Sequence, residues 1–302
     1  WAWDAERWNN LAISRDTTIE STLPVIVNGT LTVPEGVTLS LKNTTLYFHD
    51  KAGIEVRGTL LTEQCLMRGD RLDRMFPYLP YDRVSGQWEG VRFLATSSDN
   101  ILLDTEIRNA KAAVCCDSAA LDTTQVRLTM ERCNVHNSEG TGVEAVNTYL
   151  ILKECQLTNT QGNCLSVIGG IAHISRCTIA QFYPFTADRG AALFFSNSWQ
   201  GQPLSLWLTC EGSIVTGYEE DVVMGVASAD TTAVFDYYFQ NTLLRTPRVE
   251  TADSVRFAQI IWETPKDSIQ GKQHFKIIDE ENLYYDFHLD SLSTAQGLGC
   301  YQ

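Results

Sequence analysis

Three cysteines, Cys133, Cys155 and Cys177, recur at a constant interval of 22 residues, and their neighbours keep the same interval. Leu128, Leu150 and Ala172 align, as do Met130, Leu152 and Ile174, then Val135, Leu157 and Ile179. Asn137, Asn159 and Gln181 follow, and Gly140 pairs with Gly162. Looser copies hold Thr105, Ile107 and Asn109, and the stretch from Leu206 to Thr216. Within each unit the apolar residues alternate in short runs broken by turns, which is the period of strands and not of helices. Strands this short cannot bury a face alone. They bury it by stacking coil on coil, so that each column becomes a parallel sheet along a solenoid. Leucine-rich repeats have a similar period, but their Leu-x-x-Leu-x-Leu consensus and helical segment are missing. The expected fold class is therefore all-β, a single parallel β-helix. At ~4.8 Å per coil, about ten coils make a rod of roughly 50 Å.

The columns predict roles for single residues. Cys133, Cys155 and Cys177 point inward as small buried hydrophobes filling a tight column, in preference to redox or metal chemistry. Asn137 and Asn159 fall where the coil turns, since Asn tolerates left-handed backbone angles and stacked amides hydrogen-bond along a ladder. Arg132, Glu154 and Arg176 are expected to stack with alternating sign, each pair contributing only about 0–1 kcal/mol. Nearer the N terminus, Val27-Asn28-Gly29-Thr30-Leu31 recurs as Val56-Arg57-Gly58-Thr59-Leu60. Trp1, Ala5, Trp8 and Leu11 have helical spacing and suggest a short amphipathic cap, with a Trp-based ligand platform as the alternative. The expected organisation is one domain over 1–302. It has an N-terminal cap at 1–20, coils over 21–250 and a C-terminal part at 251–302, where Ile260 to Trp262 and Phe275 to Ile278 supply late strands before a cap.

Residues 69–90 break the coil pattern with a segment rich in Tyr, Pro, Arg and Asp. Long loops on solenoids often carry function. Tyr78, Tyr81 and Trp88 are candidates to stack on sugar rings, with Asp73, Asp82, Arg83 and Glu89 as polar partners. The competing reading is a salt-bridged corner, with Trp88 packed into the next coil.

A formal charge of -14 argues against nucleic acid or an anionic membrane surface as the main partner. No apolar run reaches the ~18 residues of a membrane span. Nine cysteines, an odd number without Cys-x-x-Cys spacing, argue against a full disulfide framework. The chain starts at Trp1, so a trimmed form is expected, with any export signal upstream. The five histidines form no metal motif, so neither a metal nor another cofactor is expected. Asp followed by Ser or Thr and then by an apolar residue or Thr recurs at Asp16, Asp117, Asp122, Asp230, Asp253, Asp267 and Asp290. The pattern resembles an O-glycosylation acceptor, and it equally suits turn chemistry.

Several motifs together resemble a family. They are Val33-Pro34-Glu35-Gly36-Val37-Thr38-Leu39, Tyr47-Phe48-His49, Ala52-Gly53-Ile54-Glu55-Val56, Gly69-Asp70-Arg71-Leu72-Asp73 and Gly86-Gln87-Trp88-Glu89-Gly90-Val91. Gly169-Gly170, Ala172-His173 and Cys177-Thr178-Ile179-Ala180 extend them, as does the ending from Phe287 to Gly297. This set looks like a group of right-handed parallel β-helix surface lipoproteins of Gram-negative anaerobes. The resemblance implies an envelope location, on the outer surface or in the periplasm, with a lipid anchor upstream as the only membrane contact. It implies little about activity.

The wider right-handed β-helix class includes pectate lyases and polygalacturonases. Their chemistry needs paired carboxylates, or Ca²⁺-binding acids with a basic residue. Here there is no Asp-Asp pair and no Gly-His-Gly, and no catalytic residue is assigned. The expected function is a non-catalytic envelope protein presenting a surface to a polysaccharide or a surface protein. The alternatives are a lyase or hydrolase with a divergent site around Asp73, Asp82 and Glu89, and a structural spacer.

Overall fold

The computed structural model describes residues 4–263 and 270–300. Within them the chain winds into three columns of parallel strands, a parallel β-helix. The first face is an 11-stranded sheet that begins with Glu6–Asn9, Val25–Asn28, Thr45–Phe48 and Leu66–Gly69 and ends with Leu243–Leu244 and Ile261–Trp262. The second face starts with Thr30–Val33, Gly53–Val56, Gly90–Phe93 and Val114–Cys116. The third starts with Thr17–Glu20, Thr38–Lys42, Thr59–Glu63 and Asn100–Leu103. Two strands of 11 residues, Val143–Lys153 and Leu165–Ser175, run from the second face onto the third. They bend at Asn147 and at Gly169-Gly170, all in the left-handed region that a sharp corner demands.

The repeat aligns residues as the spacing predicts. Leu128 pairs with Leu150 and Leu150 with Ala172, and Val135 pairs with Leu157 and Leu157 with Ile179. Alternation then sorts the side chains. In Thr38–Lys42, Leu39 and Leu41 are buried while the residues between them face outward. One apolar core runs up the solenoid from Ile13 to Leu244. Each fully buried Leu or Val in it contributes about 1.5–3 kcal/mol.

Cys133, Cys155 and Cys177 form the expected vertical file, each buried, with the Cys155 amide donating to Cys177 Sγ at 3.4 Å. The file is longer than the cysteines. It reads Thr44, Cys65, Thr105, Cys133, Cys155, Cys177, Ser213 and Thr242, and every member donates its hydroxyl or thiol to the carbonyl two residues before it. The residue before each member, from Asn43 to Asn241, has positive φ. Arg132, Glu154 and Arg176 are among those left-handed residues. Arg176 pairs with Glu154 at 3.7 Å, whereas Arg132 turns to Asp104 at 2.7 and 3.0 Å. Asn109, Asn137 and Asn159 make the next corner, also left-handed. Their side chains do not bond along an amide ladder: Asn109 and Asn137 both donate to the carbonyl of Asp82.

Two expectations need correction, and one sequence repeat falls at different places in the coil. Glu6–Asn9 is a strand paired with Val25–Asn28 and not part of a helix, so coils begin well inside the expected cap; Trp1 lies outside the described residues. The two Val-x-Gly-Thr-Leu segments do not stack, because Val27 is on the first face and pairs with Phe48, whereas Val56 is on the second and pairs with Val33. They are similar corners at different places in the coil. Finally, the C-terminal segment does not sit only over the end of the solenoid. The hairpin Phe275–Asp279 with Tyr284–Leu289, and the residues after it, lie along the outside of the first face. There Phe275, Phe287, Leu289, Ala295 and Leu298 pack on Ala180, Phe182, Ile214 and Leu243. Gly299 donates to the Gly212 carbonyl, and Cys300 to Thr178 Oγ1.

Candidate functional site

The insertion at 69–90 folds down over the first face as a salt-bridged corner. Arg71 grips Asp73 at 2.8 and 2.6 Å and lies 3.9 Å over the Tyr81 ring. Asp82, in a turn at Tyr81–Arg83, reaches Arg68 at 2.8 Å and Arg108 at 3.3 Å. Arg83 is half-buried in the same turn. Trp88 is fully buried, stacked on Phe48 with ring centroids 4.0 Å apart, and donates Nε1 to the Arg108 carbonyl at 2.8 Å. It has no free face for a sugar, which corrects its placement among ligand-stacking residues. Tyr78 is 77% exposed and stacks on Phe76. These residues are brought together as a corner and do not line a common cleft.

Glu89 is the exception. Just past the buried Trp88 the chain turns at Gly90, whose φ of 101° and close approach to the Ala112 carbonyl leave no room for a side chain. Glu89 therefore stands at the rim of a cleft of about 390 Å³ on the bare outer side of the second face. The floor is an outward row on successive rungs, Glu55, Arg92, Cys115 and Glu144, fixed by the strand register. Lys51 and Asp117 complete the walls.

The charges there are partly matched. Arg92 Nε donates to both oxygens of Asp117 at 2.9 and 3.1 Å, and this hydrogen bond raises the guanidinium pKa further. Lys111 closes the rim on Glu89 at 2.6 Å. Glu144 is pushed above the usual carboxylate range by burial and then by the charge of Asp117. Burial and the neighbouring carboxylates push the Cys115 thiol up to about 12, so it is not a nucleophile at neutral pH. The carboxylate of Asp117, fixed by arginine, can accept from one ligand hydroxyl while Arg92 and Lys51 donate to other ligand oxygens. Spacing gave no hint of this row. Glu55, Arg92, Cys115 and Glu144 belong to coils of unequal length, and only the register aligns them. Among the described residues no group of three or more His, Cys, Asp or Glu is placed to hold a metal ion.

No protein-family model and no curated sequence matches the chain. Among solved structures, the A-module of mannuronan C-5 epimerase AlgE6 from Azotobacter vinelandii is similar at 10% identity, covering 86% of this chain and 89% of that one, with a TM-score of 0.36. At that distance the likeness assigns neither chemistry nor ligand.

Proposed function

We propose that the protein is a glycan-binding β-helix of the cell envelope and that the ligand lies in the second-face cleft. The observation that supports this is the outward row Glu55–Arg92–Cys115–Glu144 with Asp117 beside it, an open surface with both donors and acceptors. Four acidic groups, Glu55, Glu89, Asp117 and Glu144, against three cations, Lys51, Arg92 and the rim residue Lys111, favour a neutral or basic glycan over a polyanion. In this reading the protein is exported and held by a lipid anchor upstream, as the resemblance to surface lipoproteins implies. A glycan array tests it. Binding by the wild type, reduced at least tenfold in Arg92→Ala and Glu144→Gln, supports the assignment; a flat array overturns it.

A second reading rests on Glu144. Its raised pKa suits a general acid, with Asp117 as the partner carboxylate of a hydrolase or lyase. A screen for reducing-end or unsaturated products on diverse polysaccharides separates the two. Product formation that disappears in Glu144→Gln favours catalysis. The pairing of charges within the insertion favours a third reading, a surface spacer, which predicts neither binding nor products.

A further inference from the structure

On the outside of the first face, Arg68 and Arg108 face the same carboxylate, that of Asp82 in the insertion. Arg68 is 5% exposed, and burial together with the neighbouring Arg108 lowers its pKa. Two guanidinium groups side by side in a half-dry site repel each other unless an anion lies between them. Asp82 is a poor fit for that position. Both arginines make their closest approach to the same oxygen, Oδ1, and that oxygen has no contact of hydrogen-bond geometry. The buried Nε of Arg108 has no hydrogen-bond partner either. Arg68 is otherwise satisfied, with Nε on the Gly69 carbonyl at 3.1 Å and Nη2 on the Arg71 carbonyl at 3.0 Å, and Arg108 Nη1 also reaches Glu106 at 3.2 Å. The donor left over in the pair is Arg108 Nε, although arginine normally engages a carboxylate with two parallel bonds.

The same surface also reads main chain. Asn109 Nδ2 donates to the carbonyls of Asp82 and Val84 at 2.9 and 3.1 Å, and Asn137 Nδ2 reaches the first of these from the next rung. Between residues 72 and 78 the insertion contributes little apolar burial, although Trp88 near its end is fully buried. Leu72, Met75, Phe76 and Tyr78 are all exposed, so its outer half is held by polar contacts that water can replace.

We infer that Arg68, Arg108 and the corner asparagines form a receptor for an aspartate-bearing peptide segment of a partner protein, and that the insertion occupies it in cis. A peptide is favoured because the present occupant is one, read at two backbone carbonyls and one side-chain carboxylate. This site is separate from the second-face cleft and does not depend on the glycan assignment.

The test uses the full chain with residues 72–84 replaced by a short Gly-Ser linker. Gly69 lies against Gln87, so the ends of the gap are close. The probe is a fluorescent synthetic peptide with the sequence of residues 78–86, followed by anisotropy. The shortened protein should bind it at least tenfold more tightly than the intact chain, and a peptide with Asn for Asp should bind at least tenfold more weakly. Absence of binding to a folded shortened variant, equal binding of the Asn peptide, or binding of a carboxylated oligosaccharide in place of the peptide overturns the proposal. Should the shortened variant fail to fold, Asp82→Asn in the intact chain decides. Amide exchange over residues 70–86 should accelerate at least tenfold, and the peptide should bind this variant more tightly than wild type. Unchanged exchange or unchanged binding overturns the inference.

Discussion

The thiol of Cys155 lies 3.3 Å from the carbonyl oxygen of Lys153, the same contact that threonine and serine hydroxyls make elsewhere in the file. The column therefore selects for a small side chain with a polar hydrogen. Cys155→Thr should change stability by less than about 1 kcal/mol, while Cys155→Leu overpacks the column and should cost about 1–3 kcal/mol. Urea denaturation of both variants checks this. In the native protein Cys133, Cys155 and Cys177 should resist alkylation, because all three are buried.

Trp88 belongs to the core. Trp88→Ala should cost about 3–5 kcal/mol through the lost stack on Phe48 and the cavity left behind. Trp88→Phe keeps the stack but leaves the Arg108 carbonyl without its donor, at about 1–3 kcal/mol. Calorimetry gives both values. A ligand affinity that fell in Trp88→Phe without loss of stability would contradict this placement.

Glu144 makes the pH dependence specific. Its folded pKa is raised by burial and by Asp117, so the fold holds the proton more tightly than the unfolded chain does. That contribution is complete below the ordinary glutamate value of 4.5 and is lost as pH rises through the folded pKa. Glu144→Gln should therefore raise the melting temperature at neutral pH by up to a few degrees and lose the advantage near pH 4. A Tm difference between variant and wild type that is independent of pH would refute the assignment.

The C-terminal segment is latched through Glu263. Its carboxylate receives Thr216 Oγ1 at 2.6 Å and lies 2.7 Å from His274 Nε2, with Arg245 at 3.8 Å and all four residues buried. His274 Nδ1 contacts Ser293 Oγ at 2.9 Å. Glu263→Ala removes the shared acceptor of this network and should cost about 3–5 kcal/mol. Limited proteolysis should then cut first within residues 275–300; an unchanged cleavage pattern would argue against the latch.

The coils were legible because burial acts on every second residue and the 22-residue spacing repeats it from Leu128 to Ile179. The buried arginines were not. Arg127 stands beside an apolar run like any surface residue, yet it is buried at the corner between the second and third faces. There it donates to the carbonyls of Phe93, Leu94, Ser97 and Asp117. Such a role follows from which carbonyls a corner leaves unpaired, and the local sequence does not carry that. The cleft was hidden for a related reason. Glu89 was named from the insertion, but Glu55, Arg92 and Glu144 meet only through the stacking of unequal coils. The Asp-Ser/Thr sequences show turn chemistry in part: Asp122 and Asp230 each accept from the amide and hydroxyl of the threonine two residues on. The neighbouring Thr123 and Thr231 remain exposed, and intact-mass measurement of native protein decides whether they carry sugar.

The segment lying lengthwise on the first face has a bearing on how the rod comes apart. A solenoid whose turns touch only their neighbours frays one turn at a time from a free end. Here the strip running from Phe275 to Cys300 ties together turns that include Thr178, Ile214, Leu243 and Glu263, so those turns must let go as a block. The turns before Leu66 have no such tie among the described residues, and melting should start there and travel toward the braced half.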